Sequence, residues 1–69
     1  MYNEGEYKFI LNTIKYGNEL KFYTIRSLLT HIIFKEKNLI LKTAEENGDV
    51  RLYKNEKGEK CVEYIKGVD

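Results

Sequence analysis

The sequence predicts a small α+β domain of three helices, a short strand and a C-terminal two-stranded hairpin. Three observations carry that expectation. Apolar residues recur at helical spacing up to about residue 47, the spacing changes to alternation from Val50 onward, and Gly48 stands at the change. The chain of 69 residues makes one domain. A domain of that size buries only about 60% of its unfolded surface, so its core must be compact and a partner chain can complete it.

The first helix spans 3–16. Asn3 is a suitable cap, Glu4 and Glu6 fall in the opening turn, and Gly17 follows as the natural stop. Tyr7, Ile10, Leu11 and Ile14 form the stripe that packs inward. Tyr2, Phe9 and Tyr16 recur every seven residues on nearly the opposite side. They read either as ordinary exposed aromatics or as the seam of a homodimer through this helix.

A turn at Gly17 and Asn18 leads to a strand over 20–23, LKFY, with Leu20 and Phe22 on one side. Thr24 then caps a helix over 25–31 that faces Ile25, Leu28 and Leu29 inward. The competing parse is one long helix over 19–34, because Phe22, Ile25, Leu28, Leu29, Ile32 and Ile33 are also periodic. No Gly or Pro marks the connection HIIFKEKN. Ile32, Ile33 and Phe34 are expected to be partly buried in it, since three consecutive large apolar residues are costly to expose.

The third helix spans 35–47. Ile40, Leu41 and Ala44 share its narrow apolar face, while Lys35, Asn38, Lys42 and Glu46 point mostly away. Gly48 ends it by taking the left-handed conformation. The hairpin over 50–65 reads VRLYK, NEKG, EKCVEYI. A type I turn over 55–58 with Gly58 left-handed pairs Leu52 with Val62, Val50 with Tyr64 and Arg51 with Glu63. Apolar pairs then share one face and opposite charges meet on the other, an agreement that a one-residue slip destroys. Tyr53 and Cys61 pair on the outer face as packing or surface residues, and 67–69 is a tail.

Composition excludes more than it assigns. A net charge of +1 gives no whole-molecule field that attracts nucleic acid. Locally, though, Lys21, Arg26, Lys35, Lys37 and Lys42 stand against Glu36 alone between Leu20 and Ala44, with Glu45, Glu46 and Asp49 just beyond. Cys61 is the single cysteine, which rules out an internal disulfide and points by default to the cytoplasm. The opening MYNEGEYKF lacks signal-peptide character, and no membrane span is expected. The sole histidine, His31, has no nucleophile at motif spacing, and the five glycines are isolated. The chain is therefore expected to be no enzyme, and to use no metal, cofactor or small-molecule ligand.

Thr24, Ile25 and Leu28 opening the second helix, Leu41, Ala44 and Gly48 in and after the third, then NEKG followed by VEYI, form a familiar order. From about residue 3 to residue 66 the chain resembles the winged helix-turn-helix superfamily in pattern. Its glycine-free inter-helix turn and the late acids Glu45 and Glu46 depart from the common form. The resemblance implies double-stranded DNA as partner, with the third helix offered to the major groove and the hairpin wing lying on the backbone.

Under that resemblance Lys35, Lys37 and Lys42 reach phosphates or guanine edges, and Arg26 adds to the local basicity. Asn38 either pairs with adenine or caps the helix, and Arg51 serves either phosphate or Glu63. Lys54, Lys57 and Lys60 surround the wing tip, weakened there by Glu56 and Glu59. The expected role is a small transcriptional regulator, dimeric through Tyr2, Phe9 and Tyr16. The alternative is a protein-interaction module on the same scaffold, using the aromatic stripe or the Leu39 side of the third helix.

Overall fold

The computed structural model describes residues 3–65. Tyr2 and the tail over 67–69 lie outside the described residues. Three helices and an antiparallel hairpin follow in the order α1 (Glu4–Glu19), α2 (Ile25–Leu29), α3 (Lys37–Glu46), β1 (Val50–Lys54) and β2 (Lys60–Tyr64).

Asn3 caps α1, its Oδ1 accepting from the Glu6 amide at 2.7 Å, and Glu4 and Glu6 favour the positive helix end. The helix does not stop at Gly17. It continues to Glu19 and closes through Lys21, whose φ is +70°: the Phe22 amide donates to the Gly17 carbonyl at 2.8 Å and the Lys21 amide to Asn18 at 3.0 Å. These are the paired bonds of a Schellman closure, with lysine at the position glycine normally takes. The closure consumes residues that the alternation assigned to a strand over 20–23. Leu20 and Lys21 are turn residues, and only the next few run beside β2, through the bridge of Thr24 with Cys61 and a 2.8 Å bond from the Val62 amide to the Tyr23 carbonyl.

Thr24 accepts from the Ser27 amide at 3.2 Å and so opens α2. The helix is shorter than the expected 25–31, and the single long helix over 19–34 does not form. Ile32 to Phe34 are in neither helix nor turn. Ile32 and Phe34 are half-buried, whereas Ile33 is 90% exposed, so the expectation that all three are sheltered fails at Ile33. The third helix begins at Lys37, not Lys35, because Lys35 and Glu36 form a turn. Gly48, at φ +79°, closes it with the same bond pattern, Asp49 amide to Ala44 at 2.9 Å and Gly48 amide to Glu45 at 3.0 Å.

In the hairpin Val50 faces Tyr64, Arg51 faces Glu63 and Leu52 faces Val62, the register that the alternation predicts. Asn55 shapes the turn: its Oδ1 accepts from the amides of Lys57 at 2.9 Å and Glu59 at 3.0 Å, and Gly58 takes φ +79°. Cys61 is buried even on the outer face, flanked by Tyr53 across the ladder and Thr24 at the bridge.

One core joins the elements. Tyr7, Ile10, Leu11 and Ile14 of α1 meet Leu29, Ile40, Leu41, Ala44, Val50 and Val62. Each large side chain contributes about 1.5–3 kcal/mol by leaving water. Two polar ties lock the frame around it. The Tyr7 hydroxyl donates to Asp49 Oδ2 at 2.5 Å and accepts from Asn47 Nδ2 at 3.1 Å, which fastens the start of α1 to the exit of α3. Asn18 fastens the other end: its Oδ1 accepts from the Tyr64 amide at 2.6 Å, and its Nδ2 donates to the carbonyls of Phe22 at 2.9 Å and Val62 at 3.3 Å.

Candidate nucleic-acid interface

The cationic residues expected to meet DNA fall into two groups on different elements. At the hairpin tip Lys54 is paired in register with Lys60, and Lys57 occupies the turn between them, all three exposed. Packing of α2 on β2 brings exposed Arg26 alongside Lys60, where the two line a shallow cleft of about 380 Å³ with Thr24, Ile25 and Glu59. That neighbourhood depends on the Thr24–Cys61 bridge and has no counterpart in local sequence spacing. Glu59 stays within the group and receives a 2.9 Å bond from Asn55 Nδ2.

The second group lies at the start of α3. Asn38, Leu39, Lys42, Glu45 and Glu46 are its exposed residues, so the outer face is amide and cation in its first half and anionic in its last turn. Lys35 is exposed on the preceding turn instead of on the helix. Lys37 turns inward: it is half-buried, and its Nζ donates to the Ile32 carbonyl at 3.3 Å, which ties the glycine-free connection to the helix it precedes. Glu36 occupies the N-cap position without a side-chain cap bond, so Asn38 is not the cap and its amide projects from the first turn.

Arg51 is committed within the sheet. Its Nε donates to Glu63 Oε1 at 3.1 Å, and its guanidinium lies 4.3 Å from the centre of the Tyr53 ring. The half-buried Tyr53 phenol has its pKa raised, first by burial and then by the neighbouring Cys61 and Glu63, against the lowering effect of Arg51.

The residues expected at a dimer seam are exposed where the structure describes them, Phe9 at 53% and Tyr16 at 65%. Among the described residues, no group of three or more His, Cys, Asp or Glu side chains is placed to hold a metal, and no helix is long and apolar enough to cross a membrane. No protein-family model matches the chain, and neither curated proteins nor solved structures give a match.

Proposed function

We propose that this domain is a winged helix-turn-helix module that binds duplex DNA, acting in the cytoplasm as a small transcriptional regulator that occupies an operator. The observation that carries the reading is that Arg26 of α2 lines one cleft with Lys60, which pairs with Lys54 at the hairpin tip beside Lys57. A helix and a hairpin distant in sequence thereby present cations side by side, the pattern that phosphate anchoring uses. The order of helix, bridged segment, helix, helix and hairpin supports the same reading.

In this reading Arg26, Lys35, Lys54, Lys57 and Lys60 neutralise phosphates, while Asn38 and Lys42 reach base edges. Glu45 and Glu46 repel phosphate, so only the first half of α3 enters the groove. Lys37 stabilises the approach to α3 instead of touching DNA. The test is anisotropy titration of a labelled duplex over a salt series. Reversing both Lys35 and Lys42 to Glu removes binding while circular dichroism is unchanged; undiminished affinity at low salt overturns the assignment of α3. Fewer than about three released counterions per protomer overturns the wing-anchored geometry.

A protein-interaction module is the second reading. Leu39, 42% exposed in the first turn of α3, and the acids Glu45 and Glu46 in its last turn favour it. Retention on heparin at moderate salt separates the two, since a protein adaptor of net charge +1 flows through.

A further inference from the structure

Asn47 is followed by Gly48, whereas the other five asparagines of this sequence precede Glu, Thr or Leu. Both residues are exposed at the exit of α3. Asparagine is thermolabile because its side-chain carbonyl is open to attack by the next backbone nitrogen, and glycine brings no Cβ to shield that nitrogen. We propose that Asn47 is a site of spontaneous deamidation whose product unfastens α1 from α3, so that the folded state has a built-in lifetime. The inference is independent of the DNA reading.

The step needs only water and is redox-neutral. The Gly48 nitrogen gives up its proton and bonds to Asn47 Cγ, the Cγ–Nδ2 bond breaks, and ammonia leaves with that proton, which closes a cyclic imide. Water then opens the ring at one carbonyl or the other, leaving an aspartate or isoaspartate carboxylate. In the closed fold both reacting groups are held: the Gly48 amide donates to the Glu45 carbonyl at 3.0 Å, and Asn47 Nδ2 to the Tyr7 hydroxyl at 3.1 Å. Reaction therefore proceeds when the exit of α3 opens locally, and the tie to Tyr7 limits its rate. The product cannot restore that tie. A carboxylate oxygen in place of Nδ2 only accepts, and the single Tyr7 hydroxyl proton already goes to Asp49 Oδ2 at 2.5 Å. Two carboxylates then face one hydroxyl, and that of Asp49 is buried. The new charge also joins Glu45 and Glu46 at the negative end of the helix. Isoaspartate adds a methylene to the main chain just before Gly48, which moves the closing bonds of Gly48 and Asp49 out of register.

The experiment is ageing of the purified full chain in neutral buffer, followed by tryptic mass mapping. Peptide 43–51, released at Lys42 and Arg51, is expected to gain the mass difference between amide and acid well before the peptides that hold the other asparagines. Tyr7→Phe, which frees the Asn47 amide, is expected to convert about fivefold faster, the extra opening that one lost hydrogen bond gives. Should Tyr7→Phe fail to fold, wild type held in unfolding urea supplies the released rate, and the native chain is expected to lag it. Asn47→Asp stands in for the product and is expected to unfold at lower urea than wild type, and the deamidated fraction isolated by anion exchange to match it or fall lower. A native Asn47 still intact when the unfolded chain has fully converted overturns the modification site. Equal rates in wild type and folded Tyr7→Phe overturn the restraint by Tyr7, and a wild-type urea midpoint for Asn47→Asp overturns the unfastening.

Discussion

A Cβ built on Gly17 would overlap Leu28 Cδ2 and lie 3.4 Å from Leu28 Cγ, so α1 and α2 approach closely where Gly17 faces Leu28. This glycine serves close approach of two helices; the helix closure belongs to Lys21. Alanine gains roughly 0.5–1 kcal/mol over glycine inside a helix, but overpacking costs about 1–3 kcal/mol when a neighbour is displaced. We expect Gly17→Ala to destabilise by about 1 kcal/mol in urea unfolding and to become stabilising once Leu28 is also Ala. Equal effects in both backgrounds would mean that the contact does not set the helix separation.

Lys21 adopts the left-handed conformation at a cost of about 1–2 kcal/mol for a residue with a Cβ. Glycine avoids that cost but gains freedom in the unfolded chain. Lys21→Gly is therefore predicted to stabilise by about 0.5–1 kcal/mol, read as a higher urea midpoint with an unchanged slope.

Asn18 serves three backbone groups, on Phe22, Val62 and Tyr64, with one side chain. Asn18→Ala strands them, and each buried unsatisfied group costs about 1–3 kcal/mol where water cannot replace the bond. We predict a loss of at least about 2 kcal/mol, together with faster amide exchange at Tyr64. A change under about 0.5 kcal/mol would show that solvent replaces the side chain.

The Tyr7 to Asp49 bond holds the start of α1 against the exit of α3. Tyr7→Phe keeps the buried ring and removes only the hydroxyl that Asp49 and Asn47 share. The expected loss is about 1–3 kcal/mol, and it should vanish in an Asp49→Ala, Asn47→Ala background. Persistence of the full loss there would assign the cost to ring packing.

The raised pKa of Tyr53 makes a signed prediction. Its folded value lies above the ordinary 10.0, so the neutral phenol is favoured in the folded state. Its contribution is complete below the unfolded value and is lost as pH rises through the folded one. In wild type, stability should fall more steeply above about pH 10 than in Tyr53→Phe. Parallel curves would remove Tyr53 as a source of the alkaline loss.

Much of the fold was legible locally. The caps at Asn3 and Thr24, the inward stripe of Tyr7, Ile10, Leu11 and Ile14, the closure at Gly48 and the hairpin register depend on side-chain chemistry and periodicity within a few residues, which a sequence displays directly. What misled was Gly17, where two demands for glycine look alike in sequence. A close helix contact and a left-handed closure both ask for the residue without a Cβ. Only the packing of Leu28 against α1 decided between them, and that displaced the expected strand.

The cationic residues divide in the same way. Their identities, and the acids Glu45 and Glu46 that follow them on α3, are properties of the sequence. Which of them lie together was decided by tertiary structure: the Thr24–Cys61 bridge sets Arg26 beside Lys60, the Ile32 carbonyl draws Lys37 inward, and Glu63 holds Arg51. Local propensity determines where an element begins and which side it buries. The partners of a charged side chain depend on where distant backbone comes to rest, and that is settled only when the core closes.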